Sequence, residues 1–246
     1  MISGFTLVHN ALEGGYPIRE AIQAVQPYVD EVVAVDMQST DGTRELLERL
    51  ECRVIDGQWG NQAGETLKAA YRNYIKCDGD TIIHFEADEV FDDRLIKHIR
   101  KMIDDGFEDL AIYRLQLEAN FQRCRWYPEP VHRVFGRWSG TVKAGHTTSR
   151  HQIAAEIRPE HGYLWDITNC FRDHWLQRVE NQAELWHGEP TYLMTPLHTL
   201  HESMLDGVKA RGKLTERHWT WTETPFNIPE ILRPLVGKTH YEPGDY

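Results

Sequence analysis

Two periodicities alternate along the first hundred residues. Residues 2–8, ISGFTLV, are a short apolar run rich in β-formers, and PIREAIQAVQPYV after it places Ile18, Ala21, Ile22 and Val25 on one helical face. EVVAVD predicts a second strand. STDGTRELLERL then predicts a helix carrying Leu46, Leu47 and Leu50, with Ser39 or Thr40 as its cap. RVIDG reads as a third strand, GETLKAAYRNYI as a helix and DTIIHFEADE as a fourth strand. DRLIKHIRKMIDDG returns as a helix with Leu95, Ile96, Ile99 and Ile103 inward. Strands alternating with helices in this way predict a mostly parallel sheet with helices on both faces.

Beyond Gly106 the pattern changes. LAIYRLQLEANF alternates as a strand, and a stretch rich in Trp, Arg and His then runs to about residue 151 without clear periodicity. RVENQAELWHG predicts a helix, and the proline-broken tail TPFNIPEILRPLVGKTHYEPGDY is expected to wrap the surface. With no repeat and no low-complexity linker, residues 1–110 and 111–246 are read as two halves of one domain, the second ending in a helical and irregular extension.

Composition removes several function classes. A formal charge of -11 disfavours a general binder of nucleic acid or anionic membrane. Against that background, residues 114–150 hold seven basic side chains and two acidic ones, a positive island that suits a specific anionic ligand. No apolar run reaches the roughly 18 to 20 residues of a membrane span, and MISGFTLVHN lacks the features of a signal peptide, so a cytoplasmic protein is expected. The four cysteines are far apart and form no CxxC pair, which points to reduced, buried thiols. HTTSRH and HTLH lack a third spaced ligand and read as solvent-facing histidines rather than a zinc site.

The densest chemistry is in TIIHFEADEV, where an apolar strand runs into Glu86, Asp88 and Glu89. Carboxylates at a strand end must be solvated, paired or neutralised by a cation. Hard divalent ions take such oxygen ligands and share them with substrate phosphates. In extended chain Glu86 and Asp88 would point to the same side and could address one ion. In open α/β sheets, ligands sit outside the carboxyl ends of the strands, where Asp36 also falls.

Three stretches in series, TLVHNALEGG, VVAVDMQSTDGT and GNQAGETLKAAYRNYIKCDGDTIIHFEADE, resemble the motifs of the family 2 glycosyltransferases of GT-A fold. The resemblance covers about residues 2–104 and implies a mixed, mostly parallel α/β sheet that binds a nucleoside-diphosphate sugar and transfers the sugar to a hydroxyl acceptor. It implies that Asp36 accepts from the nucleobase, with Asn10 and Asp41 lining the same pocket and Gln62, Gly64 and Arg72 approaching the donor. Asp88, the second acid of the family's D-x-D, would hold Mn2+ or Mg2+, with His174 as a further ligand and His146 as the next choice. Glu86 stands where the family has Asp, which puts metal dependence in question.

For the catalytic base three acids come into view, Asp173 ahead of Glu89 and Glu129; Glu89 has the alternative of serving the donor sugar. Arg133 matches the family's R-hydrophobic-F segment near the acceptor, and Trp126, Tyr127 and Trp138 could stack on a ring while the cations meet a phosphate-bearing acceptor. The acceptor is otherwise open: a glycan precursor, a small molecule, a protein or a DNA base. Two rival functions are kept. A nucleotidyltransferase would need a Lys-bearing phosphate loop, which HNALEGGYPIRE lacks. A non-catalytic nucleotide-sugar-binding protein is favoured by Glu86.

Overall fold

The computed structural model describes residues 1–59, 72–118, 123–125, 129–137, 155–169, 221–223, 228–238 and 241. Four parallel strands form the first half: β1 (Ile2–Val8), β2 (Glu31–Asp36), β3 (Arg53–Asp56) and β4 (Thr81–His84), side by side in the order β3-β2-β1-β4. Between them lie α1 (Ile18–Val25) and α2 (Thr43–Arg49), and β5 (Glu89–Phe91) leads into α3 (Asp93–Asp104). The second half adds antiparallel neighbours. β8 (Glu129–Gly136) pairs with β4, β6 (Leu110–Glu118) with β8, β7 (Arg123–Arg125) with β6, and β11 (Trp221–Glu223) with β7. β9 (Ala155–Ile157) and β10 (Leu164–Asn169) run parallel to β6, and β10 closes on β5. The result is a mixed α/β sheet with a parallel first half, the class of fold that the motifs imply.

Strand alternation gives the sheet two cores. Ile2, Val8, Val32, Ala34 and Ile83 face the larger one, where α1, α2 and α3 pack with Ile18, Ile22, Leu46, Leu47, Leu95, Ile96 and Ile99. Their intervening neighbours Phe5, Val33, Val35 and Ile82 face a smaller cluster. Right-handed crossovers from β1 to β2 to β3 place both connecting helices on one face. The return from β3 to β4 runs the other way along the sheet, and its described ends, Trp59 and Tyr74, pack on the opposite face. The predicted helix over 64–75 is described only from Arg72, as a 3-10 turn to Lys76; the helix expected over 178–188 lies outside the described residues.

Three local expectations are corrected. Residues 80–89 are not one strand: the Glu89 N–H donates to the Glu86 carbonyl at 3.1 Å, so a tight turn separates β4 from β5. The cap of α2 is neither Ser39 nor Thr40; the helix starts after Gly42, at φ +91°, and the Asp41 carboxylate accepts the Thr43 N–H at 3.0 Å. The described part of the tail does not merely wrap the surface. Leu232, Leu235 and Tyr241 are buried in the larger core, and the Tyr241 hydroxyl donates to the buried Glu20 carboxylate at 2.8 Å.

Candidate functional site

The parallel half brings the carboxyl ends of β1, β2 and β4 together. Val8 lies opposite Asp36 and Phe5 opposite His84, so the loops that follow these strands share one edge of the sheet. Two groups of side chains occupy that edge.

The first group joins the loops after β1 and β2. Asn10, at φ +44°, donates its N–H to Ser39 Oγ at 2.9 Å and accepts the Thr40 N–H on Oδ1 at 2.8 Å. Asp41 accepts the Glu13 N–H at 2.7 Å, and Thr43 Oγ1 accepts the Leu12 N–H at 3.2 Å. Asp36 is buried: Oδ1 accepts the Ser39 N–H at 3.1 Å, and Oδ2 lies 3.4 Å from Arg44 Nη1, which also reaches Asp56 at 2.8 Å. The structure thus brings Asn10, Asp36 and Asp41 into adjoining loops and adds Arg44 as a cation bridging the ends of β2 and β3. His9 adds a ring beside them. Its Nδ1 hydrogen-bonds the Met37 carbonyl at 2.6 Å, and the imidazole stacks on Trp59 with centroids 3.8 Å apart.

The second group is the 86–89 turn. Glu89 has no exposed surface; its carboxylate takes a bidentate pair of bonds from Arg133, Nε to Oε2 at 2.8 Å and Nη2 to Oε1 at 2.6 Å. The same Oε2 accepts the Glu86 N–H at 3.1 Å, and Arg133 Nη2 also donates to Glu86 Oε1 at 3.0 Å. Arg114 adds a second cation, 3.5 Å from Glu89 and 3.6 Å from Asp166. Asp88 sits half-buried at the turn, its carbonyl accepting the Ile167 N–H of β10 at 3.0 Å.

Charge in this enclosed cluster separates the two glutamates. Burial pushes the Glu89 carboxyl up, but the guanidinium groups of Arg133 and then Arg114 override it and hold the group below the ordinary carboxylate range. Glu86 moves the other way, raised by burial and then by the Glu89 charge. A carboxyl whose folded value is raised is most stabilising, relative to its ionised form, below its unfolded value; that contribution fades as pH rises through the folded value. Glu86→Gln is therefore expected to gain on the parent as pH rises from the ordinary carboxylate range toward the raised value. Urea unfolding across that range tests this, and a constant difference would contradict it.

The remaining expected residues fall as follows. Arg72 is exposed in the turn 72–76, whose Lys76 carbonyl accepts from Arg53 at the start of β3, so the turn ends at the amino edge of the sheet. Arg133, expected toward a phosphate-bearing acceptor, is 3 % exposed and bound inward by two glutamates. Glu89 likewise has no surface from which to meet an acceptor hydroxyl. Glu129 opens β8. Gln62, Gly64, Trp126, Tyr127, Trp138, His146, Asp173 and His174 lie outside the described residues. Of the positive island, Arg114 and Arg133 serve the buried acids, while Arg137 donates to the Cys77 carbonyl and faces Asp80 at 3.8 Å. Cys52 and Cys77 are buried free thiols whose pKa values burial raises to about 12, as inert structural cysteines require.

Sequence reasoning passed over His9, Arg44, Trp59 and Asp166, and read Ser39 only as a helix cap. The pairing of Asp36 with Arg44 spans eight positions and that of Arg114 with Asp166 spans fifty-two, so no local pattern announces either. Among the described residues no group of three or more His, Cys, Asp or Glu side chains converges to hold a metal ion, and no helix is long and apolar enough to cross a membrane.

Comparison with known proteins follows the same region. A family model described as glycosyl transferase family 2 matches residues 8–158. An uncharacterized glycosyltransferase of Rickettsia felis is 31 % identical over 130 residues, and a second, from Rickettsia conorii, is 27 % identical over 130 residues. Each match covers 51 % of this chain, which spans only 44 % of the relative's length. Among solved structures, residues 1–349 of Staphylococcus aureus TarS are 19 % identical at a TM-score of 0.38, over 48 % of this chain and 36 % of that one. Glucosyl-3-phosphoglycerate synthase of Mycobacterium tuberculosis, solved with Mn2+, uridine diphosphate and phosphoglyceric acid, is 16 % identical at a TM-score of 0.35, over 46 % and 43 % of the two chains.

Proposed function

This chain belongs to glycosyltransferase family 2, and from that premise we propose that it moves a sugar from a nucleoside-diphosphate donor to a hydroxyl acceptor. The observation that carries the reading is the convergence of Asn10, Asp36, Asp41 and the 86–89 turn on the carboxyl ends of adjacent parallel strands. That is where an open α/β sheet takes a nucleotide. Asp36 and Arg44 offer an acceptor and a donor to a base edge, and the stacked His9 and Trp59 rings supply a flat wall beside it.

Asp88 is the residue that would hold Mn2+ or Mg2+, with His174 as a further candidate ligand. The described residues give this ion one half-buried carboxylate, since Glu86 is drawn to Arg133. A small hard cation bound by one or two carboxylates completes its shell with waters and substrate phosphates. The donor set therefore fits an ion that arrives with its diphosphate. Such an ion would neutralise the charge growing on the departing nucleoside diphosphate. Asp173 is the acid proposed to accept the proton of the acceptor hydroxyl.

Thermal unfolding in the presence of nucleoside diphosphates and nucleotide sugars, each with Mn2+, Mg2+ or EDTA, tests this reading. Mn2+ alone is expected to shift the midpoint little, whereas Mn2+ with the matching nucleoside diphosphate stabilises by about 2.7 kcal/mol at a hundredfold excess over Kd. No response to any combination would overturn the donor assignment. A response unaccompanied by donor turnover would favour a binding protein of the same fold, in which Glu86 is engaged by Arg133 rather than by a metal ion.

A further inference from the structure

We propose that Arg133 is a positioning residue for the donor site, holding the 86–89 turn in the one arrangement that presents Asp88 at the strand end. The inference rests on the glycosyl-transfer reading above. Its observations are independent of that reading: they concern what fixes the turn from inside.

Asp88 lies between two acids that Arg133 binds at once. One guanidinium group meets both oxygens of Glu89 and one oxygen of Glu86. Glu89 in turn accepts the Glu86 N–H, so its carboxylate closes the turn a second time beyond the backbone bond between residues 89 and 86. The Ile167 N–H holds the Asp88 carbonyl from the far side. The turn is thus pinned at residues 86, 88 and 89 by β8 and β10, strands of the second half of the chain.

The chemistry explains why the residue is arginine. A lysine would present one compact charge, whereas the planar fork satisfies the two Glu89 oxygens in parallel and still reaches Glu86. Both Arg133 and Glu89 are almost entirely excluded from water, so the pair is rigid and little screened. A buried ion pair of this kind is poor evidence for stability, because its desolvation cost is large; it is better suited to fixing a geometry. Residues that orient a metal ligand from behind commonly govern metal affinity by ten- to a hundredfold.

Arg133→Lys is the variant that separates positioning from folding. It keeps the charge and loses the fork. The expected result is a thermal midpoint close to the parent's, faster amide exchange at Glu86 and Ile167, and about tenfold weaker binding of Mn2+ with nucleoside diphosphate, read by calorimetry. Should the lysine variant fold poorly, Arg133→Met combined with Glu89→Leu removes the pair without changing the net charge of the cluster. That double variant is expected to fold and to show the same loss of metal-dependent affinity.

A folded variant of either kind that binds Mn2+ and nucleoside diphosphate within twofold of the parent overturns the positioning role. A parent protein that binds no nucleoside diphosphate with Mn2+ overturns the glycosyl-transfer reading instead, and the proposal with it.

Discussion

Replacing Asp88 with alanine is expected to lower sugar transfer by about 100- to 1,000-fold, the loss seen when one preorganised electrostatic contact to a developing charge is removed. The same variant should bind the nucleoside diphosphate equally well in Mn2+ and in EDTA, because the carboxylate that would tie the ion to the chain is gone. Its fold should persist. The hydrogen bond that anchors residue 88 to β10 uses the backbone carbonyl, which alanine retains. Glu86 and Glu89 keep their bonds to Arg133. Calorimetric titration with and without chelator, alongside the thermal midpoint, decides the matter. A metal-dependent affinity equal to the parent's would remove Asp88 from the site.

The largest effect on stability is expected at Trp165. This side chain is 1 % exposed on β10, opposite Val90 of β5 and Leu115 of β6, with the Tyr163 ring edge-on at a centroid distance of 6.2 Å. Truncation to alanine empties that volume and should cost about 3–5 kcal/mol. Phenylalanine should cost far less. Among the described residues the buried indole Nε1 has no hydrogen-bond partner, so the ring can lose its N–H without stranding another of these groups. Urea unfolding of both variants tests the contrast; a phenylalanine variant as unstable as the alanine one would contradict it. Trp165 also matters to the site, because its neighbours Asp166 and Ile167 meet Arg114 and the Asp88 carbonyl.

The parts of this structure legible in the sequence are those made by local rules. The face formed by Ile18, Ala21, Ile22 and Val25 is wholly buried, as its spacing predicts. α3 begins at Asp93 behind the Asp92 cap, with Leu95, Ile96 and Ile99 buried and Ile103 half-buried. Asn10, Asp36 and Asp41 converge because strand ends in a parallel sheet are brought level by register. The 86–89 turn was not legible. Its apolar approach and alternating acids suit an extended strand, and what bends it is a carboxylate held by Arg133, forty-four residues further on. The roles of the basic island were hidden for the same reason: Arg114 and Arg133 look like surface charge until β6 and β8 lay them against acids of the first half.

That arrangement also orders the chain in time. During synthesis residues 1–110 leave the ribosome ahead of β8, with β4 unpaired on the side that β8 later occupies and Glu89 awaiting its counter-ion. An open strand edge and an uncompensated carboxylate both oppose early closure. β1, β2, β3 and β4 can pair beforehand within the first half, but the 86–89 turn gains its bidentate partner only once residue 133 arrives. The strand-end edge that carries Asp88 would then be the last part of the parallel sheet to become native.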